Sequence, residues 1–160
     1  MKIRYKKLHP DAKAPVKLIE VDAGFDVFAI SKEETPDFIE YMTGIAFEIP
    51  EGYVGLVFPR SSVTKYDLML KNCVGVIDAS YRGEIRCRFY DTNKQKDYIE
   101  IRNYGAIDII HPPYLKKNIY EIGERVAQIV FLELPKIELE EALELSDTKR
   151  GTGGFGHTGK

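Results

Sequence analysis

The chain is written mostly in short apolar runs cut by polar and turn-forming residues. Gly44 to Ile49, Tyr53 to Phe58, Val74 to Ile77, Glu84 to Tyr90 and Arg125 to Leu134 are rich in Val, Ile, Phe and Tyr, the residues that suit strands. Pro50-Glu51-Gly52, Pro59 and Tyr81-Arg82-Gly83 punctuate them, a pattern that predicts a β-sandwich or barrel. Two stretches suggest helix. Ser61 to Leu70 follows Pro59, with Ser61 or Ser62 placed to cap it. Glu140 to Leu145 fits a helical turn, but Glu138 to Leu145 fits an extended edge segment equally, and the pattern leaves both open. Asp91 to Tyr120 reads as an excursion: a polar DTNKQKD, a partly alternating YIEIRNYGAIDII, then HPPYLKKN, which breaks any element. It suggests a hairpin with a loop that returns to the domain at Ile122-Gly123-Glu124.

With 160 residues, 44% of them hydrophobic and 30% charged, the chain suits one globular domain. A formal net charge of −2 gives no global electrostatic case for nucleic acid or an acidic membrane. The basic N-terminus, MKIRYKKLHPDAKAP, lacks the apolar core of a signal peptide, and no run approaches a membrane span. Cys73 and Cys87 match no metal spacing and are expected to be reduced and buried. His9, His111 and His157 have no ligand-spaced partners, which argues against a protein-built zinc site. The expectation is a soluble cytoplasmic protein.

Candidate chemistry is densest at the end. RGTGGFGHTGK holds five glycines in eleven residues, enough to let successive N–H groups turn onto an anion. Arg150 adds a planar charged fork and Phe155 a ring able to lie on a base or sugar. Gly154 to Lys160 satisfies GxxxxGK, but a P-loop needs a preceding strand and a following helix that this stretch does not offer. The segment is therefore expected to act as a mobile tail closing over a ligand held elsewhere. Arg60-Ser61-Ser62 would point a guanidinium, hydroxyls and N–H groups at an anion, although the same residues also suit an ordinary N-cap and ion pair. In NCVGVIDASYRG, apolar residues run up to a lone carboxylate, Asp78, able to orient a water. Tyr81 offers a ring face to a sugar, and Asn72 offers the donor and acceptor that a pyrimidine edge requires. In isolation Asp78 also suits a plain hairpin turn.

Five ordered segments together resemble the trimeric dUTP diphosphatase (dUTPase) family: AGFDVFA (Ala23 to Ala29), PRSS (Pro59 to Ser62), GVIDASYRGE (Gly75 to Glu84), GERVAQ (Gly123 to Gln128) and RGTGGFGHTG (Arg150 to Gly159). The resemblance spans Lys2 to Gly159 except for the excursion, which is long for the family. It implies an all-β, jelly-roll-like barrel over residues 1–148, with an insertion at about 91–120 and a mobile Gly-rich C-terminal arm at 149–160. The implied reaction is Mg²⁺-dependent hydrolysis of dUTP to dUMP and pyrophosphate, in a homotrimer with sites where subunits meet. By position, Asp78 would be the base that activates water, and Tyr81 would pack on the deoxyribose. Asn72 with backbone from Gly75, Val76 and Ile77 would read uracil, with Arg86 at a further backbone contact to the base. Arg60, Ser61, Ser62 and Gln128 would hold phosphates. Arg150 would reach the terminal phosphate, Phe155 would cover uracil, and Gly156, His157 and Thr158 would wrap the phosphate chain. Asp26 would act through water around a Mg²⁺ chelated by the phosphates. Two rivals stand beside this reading: a dCTP deaminase-like enzyme of the same fold, and a nucleotide-responsive regulatory binding protein docking through the excursion.

Overall fold

The structure, a computed structural model, describes residues 1–92, 98–101, 107–110 and 118–154. One four-stranded sheet runs in the order β2 (Phe25–Phe28), β12 (Arg125–Glu133), β6 (Tyr53–Phe58) and β8 (Gly75–Ile77). The other runs β3 (Ser31–Glu34), β4 (Ile39–Met42), β9 (Arg86–Asp91) and β7 (Leu68–Leu70). β1 (Arg4–Lys7) pairs with β5 (Ile45–Glu48), and β10 (Tyr98–Ile101) with β11 (Ile107–Ile110). All these ladders are antiparallel, and no α-helix forms among the described residues. The all-β fold class expected from the apolar runs is what the chain adopts.

Period-two patterning drives the packing. On β9, Cys87, Phe89 and Asp91 are buried while Arg86 and Arg88 are exposed. On β12, Val126 and Ala127 are consecutive yet both fully buried, which a regular strand would place on opposite faces. A register shift against β2 between Arg125 and Ala127 accounts for it, since a bulge gives two residues to one side. Ile39, Ile45, Ile49, Ile85, Ile129 and Val27 fill the core around an aromatic group in which Tyr120 meets Tyr41, Phe89 and Tyr66. Gly44 makes the turn between β4 and β5 at φ +65°, where a side chain would also strike Ile30 and Ala12.

The helix expected over Ser61 to Leu70 is shortened to a 3-10 helix, Ser61–Lys65. Neither Ser61 nor Ser62 caps it: the N-cap position is Arg60, with no side-chain capping bond. Leu68–Leu70 instead becomes β7, paired with β9 and burying Leu68 and Leu70, so burial in a sheet overrides local helical spacing. Residues 134–148 form no regular element, so Glu140 to Leu145 is neither a helix nor a strand. The hairpin expected in the excursion exists as β10 and β11, while the ends of that stretch belong to the body: Asp91, Ile119 and Tyr120 are buried. No helix among the described residues is long and apolar enough to cross a membrane.

Of the two thiols expected to be buried, Cys73 is exposed and Cys87 is not. Burial pushes Cys87 up to about 12, and only a thiolate attacks disulfide reagents. Cys87 should therefore stay unmodified by Ellman's reagent at pH 8 in the folded protein and titrate fully in denaturant, as followed by thiol release.

Candidate active site

Two clusters of polar side chains stand apart on the molecule. The first surrounds the end of β8. Gly75 lies opposite Val57 on β6, and a Cβ there would sit 3.4 Å from Asn72 Nδ2, so the missing side chain lets the Asn72 amide lie against the ladder. Past Ile77 the chain turns, with the Tyr81 N–H donating to the Asp78 carbonyl at 3.0 Å. Asn72, Val76, Ile77, Asp78 and Tyr81 line one cavity of about 540 Å³. Its other wall is Glu40, Lys71, Glu84, Arg86 and Arg88. The Tyr81 ring folds over Gly83, where a Cβ would lie 2.4 Å from Tyr81 Cζ, and its hydroxyl donates to the Glu84 carbonyl at 3.0 Å.

Carboxylates hold that second wall. Glu84 Oε1 accepts the Gly44 N–H at 2.7 Å, and Oε2 accepts Arg86 Nε at 2.8 Å. Glu40, buried on β4, takes Arg88 Nε at 2.7 Å and Arg86 Nη1 at 3.4 Å. The bond to Glu84, and then its charge, raise the Arg86 guanidinium further above its already high range. Arg86 thus remains cationic beside the cavity, where it lines the wall through its side chain.

The second cluster is built where β2, β12 and β6 run abreast. Gln128 faces Asp26 on one side and Phe58 on the other. Arg60 follows Phe58 and Pro59; its Nε donates to Asp26 Oδ1 at 2.9 Å, while Arg125 Nη1 donates to Asp26 Oδ2 at 2.9 Å. Arg60 Nη1 also reaches Ser62 Oγ at 3.1 Å. Gln128 Nε2 donates to the Pro59 carbonyl at 3.1 Å, and a Cβ at position 24 would lie 2.6 Å from Gln128 Oε1, so a side chain there would displace the amide. Asp22, Asp26, Arg60, Ser61, Arg125 and Gln128 line a cavity of about 290 Å³. One carboxylate, Asp26, fixes two guanidinium groups, and with Asp22 also on the wall the arginines and aspartates of the cavity balance.

The two clusters share no lining residue. Register explains why. Gly55 pairs with Ile77 and Val57 with Gly75, so Asp78 lies beyond one end of the β6–β8 ladder and Arg60 beyond the other. At about 3.3 Å per residue, Asp78 and Arg60 of one chain are roughly 15–20 Å apart.

A model of the dUTPase family matches residues 11–107 and 105–159, the two pieces meeting within the excursion. The deoxyuridine 5'-triphosphate nucleotidohydrolase of Hydrogenobaculum is 36% identical over 163 residues, covering 99% of both chains. The one from Paramecium bursaria Chlorella virus 1 is 34% identical, covering 96% of this chain and 95% of its own. The chain belongs to the dUTPase family. Staphylococcus bacteriophage 80alpha dUTPase with dUpNHpp superposes with a TM-score of 0.78 at 31% identity, over 99% of each chain. A dUTPase from phage phi11 of S. aureus, described with a structural Mg(II) ion, matches with a TM-score of 0.68 at 27% identity, over 90% of this chain and 98% of its own. Membership makes this protein a dUTP-hydrolysing enzyme with the family's jelly-roll fold, and the deaminase alternative is set aside.

Within the dUTPase frame, the structure brings Asn72, Gly75, Val76, Ile77, Asp78, Tyr81 and Arg86 together along β8. It brings Asp26, Arg60, Ser61, Ser62 and Gln128 together beyond Phe58, the last residue of β6. Arg150 joins neither; its Nε turns back to the Gly153 carbonyl at 2.8 Å. Phe155, Gly156, His157 and Thr158 lie outside the described residues. Sequence reasoning missed Arg125, Glu40, Glu84 and Arg88. The signal for Arg125 was its place in GERVAQ, three residues before Gln128.

Asp26 is the shared acceptor, its side chain about 15% exposed. Asp26→Asn leaves two guanidinium groups facing each other without a counter-charge. It should cost about 1.5–3 kcal/mol, the range for hydrogen bonds to charged groups, read as a lower urea midpoint at an unchanged slope.

Proposed function

We propose that the enzyme hydrolyses dUTP at the α-phosphorus, with Asp78 as the base, in a site that two or more copies of the chain assemble. The observation that carries this is the convergence of Asn72, Asp78 and Tyr81 on one cavity of about 540 Å³. Its size suits a nucleoside, and its exposed carboxylate sits where a water could be held. The Asn72 amide and the backbone of Gly75 to Ile77 recognise the pyrimidine edge, and the Tyr81 ring packs on the sugar, excluding a 2′-hydroxyl. Asp78 accepts a proton from water as the water oxygen bonds to the α-phosphorus. The bond from that phosphorus to the bridging oxygen breaks, and pyrophosphate leaves.

Arg60, Ser61, Ser62 and Gln128 hold the phosphates, with Arg125 and Asp26 keeping Arg60 aimed. Because Asp78 and Arg60 of one chain lie too far apart for a single triphosphate, the phosphate cluster facing a given Asp78 comes from a neighbouring copy, in keeping with a homotrimer. Arg150 and the glycines of 149–160, with Phe155, Gly156, His157 and Thr158, close as an arm over the occupied site. The 91–120 insertion stands outside the chemistry.

The donor set bears on Mg²⁺. Among the described residues no three His, Cys, Asp or Glu groups converge to hold a metal, and each Asp26 oxygen already accepts a guanidinium hydrogen. Each oxygen retains a lone pair, so Asp26 fits a water on a phosphate-chelated Mg²⁺ rather than a direct bond. When bound, the ion supplies charge neutralisation along the triphosphate.

Asp78→Asn should keep nucleotide binding while lowering kcat by about 10²- to 10⁴-fold, measured as pyrophosphate release. More than half the activity remaining would remove Asp78 from its role. Co-refolding inactive Asp78→Asn with inactive Arg60→Ala in equal amounts tests the composite site. In a symmetric ring, about a quarter of the sites then pair two intact surfaces, so activity should return to roughly that fraction. A mixture as inactive as its parents would place the whole site in one chain.

A further inference from the structure

The ends of the excursion are fastened to the element that presents Ser61 and Ser62. Asp67 stands two residues beyond the 3-10 helix Ser61–Lys65, and its backbone and side chain all bond to residues bounding the excursion. Its N–H donates to the Asn118 carbonyl at 2.8 Å, and its carbonyl accepts the Thr92 N–H at 3.0 Å. Its carboxylate Oδ2 accepts the Asn118 N–H at 3.2 Å. The Asn118 side-chain amide in turn donates to the carbonyl of Lys65, the last residue of the helix. Two residues on, buried Tyr120 packs its ring 4.1 Å from Tyr66, the C-cap of the same helix. The Tyr66 hydroxyl donates to Glu124 Oε1 at 3.0 Å.

A 3-10 helix of five residues without a side-chain cap has little stability of its own. Its placement therefore depends on these outside contacts. We propose that Asp67 and Asn118 are positioning residues for the phosphate half of the site: they hold the carboxyl end of the Ser61–Lys65 helix so that Ser61, Ser62 and Arg60 keep their geometry. The two ends of the excursion are thereby a structural part of the active site, although the hairpin between them is not. This rests on the reading that Arg60, Ser61 and Ser62 hold phosphates.

The test separates the two halves of the ligand, using inorganic triphosphate and deoxyuridine as competitive inhibitors. Asp67→Ala should raise the dUTP KM and the triphosphate inhibition constant about three- to tenfold, the scale of one lost hydrogen bond. It should leave kcat and the deoxyuridine inhibition constant within about twofold. Asp67→Asn, which retains an oxygen acceptor for the Asn118 N–H, should restore most of the loss. Asn118→Ala should reproduce the triphosphate-selective loss, and it decides the matter if Asp67→Ala does not fold. Equal changes for triphosphate and deoxyuridine, or no change for either, would overturn the proposal. Arg60→Ala run alongside distinguishes the underlying reading: triphosphate inhibition that ignores Arg60 refutes the phosphate assignment itself, and this proposal with it.

Discussion

Strand β12 has two partners, and at Gln128 both ladders are in register: Asp26 lies across one and Phe58 across the other. A strand edge tolerates slippage, but a central strand with Ile129 fully buried beside Gln128 does not. A shift of one residue would turn the inward-facing side chains of β12 out of the core. The cost of that slip fixes the polar groups as firmly as the apolar ones. Gln128, Asp26 and the Pro59–Ser62 turn are held side by side by hydrophobic burial that they do not themselves contribute. The bulge at Arg125 adds the one adjustment that a regular ladder would forbid, allowing Arg125 to reach Asp26 while Val126 and Ala127 stay inside.

Electrostatics then shapes what this frame can hold. Two arginines converging on one point repel, and the effective dielectric of a partly buried site makes that repulsion larger than at an exposed surface. Asp26 offsets it with one oxygen for each. The cavity along β8 is different in kind, with an exposed Asp78, an amide and an aromatic ring, backed by carboxylates that occupy Arg86 and Arg88. One cluster is built of paired charges, and the other offers hydrogen-bonding edges and a ring face.

Much of this was legible in the sequence, and the rest failed for identifiable reasons. β6 and β12 announced themselves because apolar, β-branched and aromatic residues ran together between turn formers. β7 did not: Leu68-Met69-Leu70 continued a helical spacing from Val63, and only its pairing with β9, about twenty residues away in the chain, made it a strand. β3 is Ser-Lys-Glu-Glu, a polar edge with no apolar signature at all. The site residues were readable as ordered motifs, yet their division between two cavities was not, because no motif encodes register. Asp67 and Asn118 are separated by 51 positions, carry no motif, and meet only through folding.

Gly83 shows what such a site asks of sequence change. The Tyr81 ring occupies the space that any Cβ at position 83 would need, its hydroxyl only 2.3 Å from that point. A side chain there would displace the Tyr81 ring, which lines the cavity beside Asp78. The shape of that cavity is therefore inherited partly through a residue whose contribution is an empty volume. Drift at this position would reshape the cavity while every residue lining it remained unchanged.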